Sequence, residues 1–181
     1  MKRPIRPLVG DRITLRLLEE SDLPMTRAWR NQDEIRKWFL SSDPISAAGH
    51  RAWYEHYADR DDDFVFIIEE TEELRQSVGQ ASLYRVDWLA RRAEFGRILI
   101  GVEAARGRGL ARSATLALMD LARHWQLAEV QLDCLEANTR ALALYAGCGF
   151  CQMHNSGGVI RMVRRIDDVR AAALQTDSRD S

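Results

Sequence analysis

The RGRGLA segment at positions 106–111 has the composition of an anion-binding loop. It lies between an apolar stretch that ends near Gly101 and an amphipathic stretch that begins at Leu110, so the expected order is strand, loop, helix. Glycines let successive backbone N–H groups point into one concavity, and a helix N-terminus adds partial positive charge there. Such a loop can hold a pyrophosphate, although an isolated G-x-G is more often a simple strand-to-helix connection.

A second pattern lies downstream of this loop, on a predicted short helix and directly after it. It has the form N-x-x-A-x-x-L-Y-x-x-x-G-F and consists of Asn138, Ala141, Leu144, Tyr145, Gly149 and Phe150. The loop itself fits neither G-x-x-x-x-G-K-S/T nor G-x-G-x-x-G followed by an acidic residue, which disfavours ATP and NAD as ligands.

With both motifs in this order, residues 13–163 resemble the GNAT superfamily of acyl-CoA-dependent N-acyltransferases. The resemblance implies acetyl-CoA as the cofactor, with its pyrophosphate on the loop amides and its pantetheine arm paired with free backbone groups of the preceding strand. It also implies a hydrogen bond from Asn138 to the pantetheine and a position for Tyr145 beside the thioester sulfur. The residues implied to bind acetyl-CoA are Leu99, Ile100, Gly101, Arg106, Gly107, Arg108, Gly109, Leu110, Ala111, Asn138, Ala141 and Tyr145.

Three residues are candidates for moving protons in such a reaction. Tyr145 suits a general acid, because a phenol with a reference pKa of about 10 can protonate a departing thiolate. The attacking amine must be neutral, so a proton acceptor is also needed. Glu94 is the first candidate, by analogy with relatives that carry a glutamate on the same strand, and Glu136 is the second, with Asp133 less favoured. A buried core tyrosine and a solvated edge glutamate are the structural alternatives.

The acceptor amine is expected to contact residues between the first and second predicted strands. The candidates are Trp29, Arg30, Asn31, Trp38 and His50. Their spacing resembles that of the GNAT subgroup that acetylates nucleotide-linked 4-amino sugars, as in pseudaminic-acid biosynthesis. Such a substrate suits these residue types, because aromatic rings can stack on sugar or uracil and Arg or Asn can bind a diphosphate. Simple helix packing explains each tryptophan equally well.

Three other functions remain open. Ribosomal-protein N-terminal acetyltransferases and spermidine or spermine acetyltransferases are nearby relatives, and a polyamine enzyme would present clustered acids, for which the runs at 59–63 and 69–73 are candidates. A GNAT-like domain that binds acyl-CoA without turnover is the third.

The elements that would position these residues predict one α/β domain over residues 1–181, with a core at about 11–166 and a flexible tail at 167–181. Alternating residues from Ile13 to Leu17 indicate the first strand, and three short helical segments follow, capped near Ser21, Asp33 and Ser46. The resemblance implies a mixed, mostly antiparallel twisted sheet of six to seven strands, flanked by helices and splayed at its central strands.

Composition excludes several classes of protein. Apolar residues make up 46% and charged residues 29% of the chain, the balance of an ordinary folded domain, and the formal net charge is -1. We therefore expect no nucleic-acid or membrane partner and a cytoplasmic location. The three cysteines form no CxxC pair, which argues against zinc and disulfides, and no metal is expected. A small-molecule amine is the expected partner, and a homodimer is left open.

Overall fold

Eight strands form a single sheet in this computed structural model, which describes residues 2–166; the tail expected at 167–181 lies outside the described residues. The strands are β1 (Leu8–Gly10), β2 (Ile13–Leu17), β3 (Asp63–Glu70), β4 (Gln76–Asp87), β5 (Arg92–Ile100), β6 (Glu129–Leu135), β7 (Cys151–Ser156) and β8 (Val159–Arg165). The helices are α1 (Leu23–Arg30), α2 (Asp33–Arg36), α3 (Ala47–Asp59), α4 (Leu110–His124) and α5 (Thr139–Gly147). None of these helices has the length and hydropathy needed to cross a membrane.

The sheet order is β1-β2-β3-β4-β5-β6-β8-β7, and every neighbouring pair is antiparallel except β5 and β6. This confirms the predicted mixed, mostly antiparallel sheet flanked by helices. The predicted strand number was too low, because β1 has only three residues and alternation cannot be recognised over so short a stretch. β1 is visible only through its pairing with β2, from Leu8 opposite Leu15 to Gly10 opposite Ile13.

Both faces of the sheet are covered, which explains the continuous apolar run in β3. Phe64, Phe66 and Ile68 join the larger core beneath α4 and α5, whereas Val65 and Ile67 pack with Tyr57 of α3 and Leu23 of α1 on the opposite face. Alternate residues of a strand point to opposite faces, so a strand buried on both sides needs apolar residues throughout. The helices therefore fix which residues of the central strands face which side.

The central strands separate as predicted. β5 and β6 pair only between Arg92–Glu94 and Glu129–Gln131, after which they diverge. On the other side of β5, its register with β4 shifts between Gln80 and Ser82, close to Arg97, which has a φ of 52°. Such a bulge bends a strand locally. The result is a gap between the ends of β5 and β6, with one edge of β5 unpaired there.

Helix boundaries agree with the sequence in two cases and differ in one. Pro24 lies in the first turn of α1, and the Ser46 side chain accepts a hydrogen bond from the Gly49 backbone N–H at the start of α3. Asp33, predicted as an N-cap, is instead the first residue of α2, which ends at Arg36. Trp38 therefore lies in a loop beyond the helix rather than on it.

Candidate active site

A cleft of about 850 Å³ lies where β5 and β6 separate. Its walls come from the loop after α2, the ends of β5 and β6, the start of α4 and one side of α5. Among the predicted residues, those that line it are Trp38, Leu99, Ile100, Arg106, Gly107, Gly109, Leu110, Ala111, Asn138, Ala141 and Tyr145. The two motifs that are separate in sequence thus share one cavity.

The glycine loop presents a row of free donors to this cleft. Gly107 and Gly109 have φ angles of 76° and 81°, and Gly109 directly precedes α4. Within the described chain, the backbone N–H groups of residues 107–111 have no hydrogen-bond acceptor. Arg112 and Arg140 also line the cleft. Unpaired amides at a helix N-terminus, next to two cations, fit a pyrophosphate.

The arginine side chains of the loop hold it in place. Arg106 donates from Nε to the Ile100 carbonyl oxygen at 3.1 Å and also contacts Gln32 and Glu34. Arg108 pairs with Glu73. Because these guanidinium groups bind protein atoms, the loop offers mainly its backbone to a ligand. Arg108 and Gly101, both predicted to bind the cofactor, do not line the cleft.

Tyr145 has a ring in the core and a hydroxyl that is free to bind a ligand, so it fits both the structural and the catalytic interpretation. The residue is 8% exposed, and its ring packs edge-on against Phe95, with 6.0 Å between ring centroids. Its hydroxyl makes no hydrogen bond with the described residues, is not among their fully buried unpaired atoms, and belongs to a residue that lines the cleft. Burial raises the pKa of Tyr145 above its ordinary value. The ring is therefore a core group, and the protonated hydroxyl is available to a ligand.

Asn138 has a structural contact in addition to its predicted one. Its side-chain oxygen caps α5 by accepting from the Ala141 backbone N–H at 3.2 Å. The side-chain NH₂ group of Asn138, a residue that lines the cleft, makes no hydrogen bond with the described residues.

The candidate bases differ in their access to the cleft. The side chain of Glu94 is 15% exposed and pairs with Arg85 at 3.1 Å, but Glu94 does not line the cleft. Glu136 is exposed in the turn after β6 and is also outside it. Asp133 lines the cleft, but hydrogen bonds from Arg161 at 2.7 and 2.6 Å lower the pKa of Asp133. Sequence reasoning missed Tyr84, a cleft residue whose partly buried position opposite Glu94 depends on strand register.

Four of the five predicted acceptor residues lie outside the cleft. Trp29 is buried against Gly101. Arg30 stacks on Phe39, with 3.8 Å from its Cζ to the ring centroid, and Asn31 makes two hydrogen bonds with the backbone of Ile45, at 2.9 and 2.8 Å.

His50 stacks on Trp53, with 5.4 Å between ring centroids, and lines a separate cavity between α1 and α3. These contacts hold the helices and the loop that carries Trp38 in place. Helix and loop packing therefore describes Trp29, Arg30, Asn31 and His50 better than direct contact with an acceptor does.

Replacing Gly101 by Ala should destabilise the fold by about 1–3 kcal/mol, because a Cβ there would overlap the Trp29 indole. Urea denaturation measures this loss. Gly147→Ala is the matched control, since no atom lies within 4 Å of its Cβ position, and it should change stability by less than about 1 kcal/mol. Equal stability of the two variants would contradict the close packing of Trp29.

Residues 12–151 match the family described as an acetyltransferase (GNAT) domain. Because the match covers most of the chain, this protein belongs to the GNAT family of N-acetyltransferases, whose acetyl donor is acetyl-CoA. A curated relative, an uncharacterized protein from Methanocaldococcus jannaschii, is 24% identical over 140 residues, which are 77% of this chain and 28% of the relative. The chain thus spans less than a third of that protein.

Two solved structures share the fold. Spermidine N-acetyltransferase from Vibrio cholerae, solved with CoA and spermine, superposes with a TM-score of 0.76 at 24% identity, covering 86% of this chain and 96% of the other. A domain from Methanocaldococcus jannaschii gives a TM-score of 0.75 at 21% identity and covers 87% and 99% of the two chains.

Proposed function

We propose that this protein transfers the acetyl group of acetyl-CoA to a primary amine on a small molecule that is not a polycation. A nucleotide-linked amino sugar is the first candidate acceptor. The observation that carries this choice is that both acidic side chains lining the cleft are paired with arginines.

The lining contains the basic residues Lys37, Arg97, Arg106, Arg112 and Arg140, and the acidic residues Glu34 and Asp133. Both acids are paired with arginines, Glu34 with Arg106 at 3.3 Å and Asp133 with Arg161. A cation with several charges needs unpaired carboxylates to repay its lost hydration. The cleft therefore offers little to a polycation. Of its basic residues, Arg97 and Arg106 are also paired, with Asp63 and Glu34.

The two acidic runs do not offer a polyamine site either. Three acids of the first run pair with arginines: Asp61 with Arg3, Asp62 with Arg60, and Asp63 with Arg97. In the second run Glu69 pairs with Arg16 and Glu73 with Arg108, while Glu70 accepts from the backbone N–H groups of residues 72–75. Most carboxylates of these runs are therefore committed to the fold.

A polyamine is the second candidate, favoured by the similarity to the Vibrio cholerae enzyme that was solved with spermine. A homo-oligomer is also proposed, because β7 is an edge strand with six exposed residues and the Vibrio cholerae enzyme has a dodecameric structure. Light scattering of the purified protein tests the assembly.

In the proposed reaction, acetyl-CoA supplies the acetyl group and a thiol leaving group. The amides of residues 107–111 hold its pyrophosphate, and the open edge of β5 at Leu99 and Ile100 pairs with its pantetheine arm. The Tyr145 hydroxyl donates to the departing sulfur, and Glu94 accepts the amine proton. Trp38 offers an apolar surface to the acceptor.

An acetyl-transfer screen tests the acceptor, with nucleotide-linked amino sugars, free amino sugars, spermidine, spermine and peptides with free N-termini. Turnover of the nucleotide-linked sugars, with little for polyamines, is expected. Preferred turnover of spermidine would replace the first candidate by the second, and preferred turnover of peptides would indicate an N-terminal acetyltransferase. Acetyl-CoA binding without transfer to any amine would indicate a non-catalytic module.

Glu94→Gln should lower turnover most at acidic pH and least at alkaline pH. The physical reason is that an amine already deprotonated by solvent no longer needs a carboxylate base, whereas damaged binding would lower activity at every pH. Turnover as a function of pH measures this. Glu136→Gln is the matched control, and a pH-dependent defect in that variant alone would transfer the role to Glu136.

A further inference from the structure

We propose that Tyr84 is a further catalytic residue, which takes the proton from the acceptor amine and relays it to Glu94. This inference rests on the proposed N-acetyltransferase reaction. It answers a geometric problem, because Glu94 does not line the cleft, whereas Tyr84 does.

Strand register places the two residues together. Tyr84 on β4 is directly opposite Glu94 on β5. Directly opposite residues of an antiparallel pair have Cβ atoms about 4.5–5.5 Å apart on the same face of the sheet. The phenol then extends over Gly96, where an added Cβ would lie 3.2 Å from the Tyr84 hydroxyl oxygen. The absence of a side chain at position 96 therefore leaves space for the Tyr84 hydroxyl beside Gly96, and both residues line the cleft.

The charged groups around Tyr84 suit a relay rather than a free base. Glu94 and Arg97 face it from β5, Arg85 from β4 and Arg161 from β8. Burial, reinforced by the negative charge of Glu94, raises the pKa of Tyr84 to about 12. The phenol thus stays protonated at neutral pH and accepts a proton only as it gives one away.

Tyr84 and Tyr145 approach the cleft from opposite faces of the sheet. Tyr145 packs on Phe95, whereas Tyr84 extends over Gly96, and consecutive residues of β5 point to opposite faces. Burial is the main cause that raises the pKa of Tyr145, and the nearby Cys134 and Tyr84 add to it. A proton acceptor on one side and a proton donor on the other is the arrangement that amine attack and thiol departure require.

The proton transfers balance. The N–H bond of the bound ammonium breaks as an O–H bond forms at the Tyr84 oxygen, while the original O–H bond of Tyr84 breaks and its proton forms an O–H bond with Glu94. The tyrosine is regenerated, the amine becomes neutral and Glu94 becomes a carboxylic acid. Glu94 then loses its proton to solvent beside Arg85, whose side chain is 71% exposed.

Tyr84→Phe tests the relay, because it keeps the ring and removes the hydroxyl. Turnover at acidic pH should fall roughly tenfold, below the usual range for a general base because water can partly replace the phenol, with little change in KM or acetyl-CoA affinity. The defect should shrink at alkaline pH and with an alkoxyamine analogue of the acceptor, which is already neutral. The Tyr84→Phe/Glu94→Gln double variant should be no slower than the slower single variant, because both act in one pathway.

Additive losses in the double variant, or a defect of equal size at every pH, would overturn the relay and leave Tyr84 a packing role. If Tyr84→Phe folds poorly, a fluorinated tyrosine at position 84 can test the relay instead, because it retains both the ring and the hydroxyl. An unchanged pH profile of that variant would also overturn the relay. Failure of the wild-type protein to acetylate any amine would overturn the proposed function itself, and this result is distinct from an active enzyme that tolerates Tyr84→Phe.

Discussion

Replacing Tyr145 by Phe should lower turnover by about 10²-fold, the lower end of the range for general-acid catalysis, while acetyl-CoA affinity changes little. The ring contacts with Phe95 and Phe150 are retained, so the cleft keeps its shape. Only the hydroxyl is lost, and with it the donor for the departing sulfur. Steady-state kinetics and calorimetry with acetyl-CoA measure the two quantities.

The stability of the same variant separates catalysis from packing. The Tyr145 hydroxyl makes no hydrogen bond with the described residues, so its removal should leave the free energy of unfolding almost unchanged. Tyr57→Phe is the matched control. The Tyr57 hydroxyl accepts a hydrogen bond from the Val65 backbone N–H at 3.2 Å, in the smaller core on the other face of the sheet. This substitution should cost about 1 kcal/mol of stability and leave turnover intact. Turnover of Tyr145→Phe within a factor of two of wild type would show that Tyr145 is only a core residue.

Replacing Gly109 by Val should weaken acetyl-CoA binding tenfold or more, which corresponds to about 1.4 kcal/mol. The cause is backbone strain rather than a clash. Gly109 has a φ of 81°, and its Cβ position has only Arg12 Nη2 within 4 Å, at 3.5 Å. A β-branched residue strongly disfavours this left-handed conformation, so the loop should rearrange and its free amides should no longer converge. Calorimetric titration with acetyl-CoA measures the loss.

Gly158→Val gives the matched control for strain alone. Gly158 has a φ of 78° and open space around its Cβ position, but it lies in the turn between β7 and β8, outside the cleft. Both variants should lose stability to a similar degree, and only Gly109→Val should lose affinity. Undiminished affinity in Gly109→Val would reject the assignment of the loop to the pyrophosphate.

The sequence was informative where function depends on short stretches of backbone. Gly107 and Gly109 mark a loop that needs left-handed conformations, Asn138 marks a helix start, and alternating apolar residues mark the strands. Each signal arises from interactions between residues a few positions apart, so it is present in the chain before any tertiary contact forms. The residues that line the cleft and the class of fold follow from these signals together with the family resemblance.

The acceptor side depended on contacts that local patterns do not encode. The types of Trp29, Asn31 and His50 suit both ligand contact and packing, and only the position of Gly101 and of the Ile45 backbone shows that the first two serve packing. The acidic runs likewise look available until arginines distant in sequence, such as Arg97 opposite Asp63, neutralise them.

The sequence by itself therefore determined the loop, the Asn138 and Tyr145 helix and the longer strands, because these depend on local backbone preference. The tertiary structure alone decided that Tyr84 lies opposite Glu94 and lines the cleft, and that the neighbouring acids are paired. These facts depend on β-strand register and on side chains that meet only when the sheet closes, and a shift of one residue would turn Tyr84 to the opposite face.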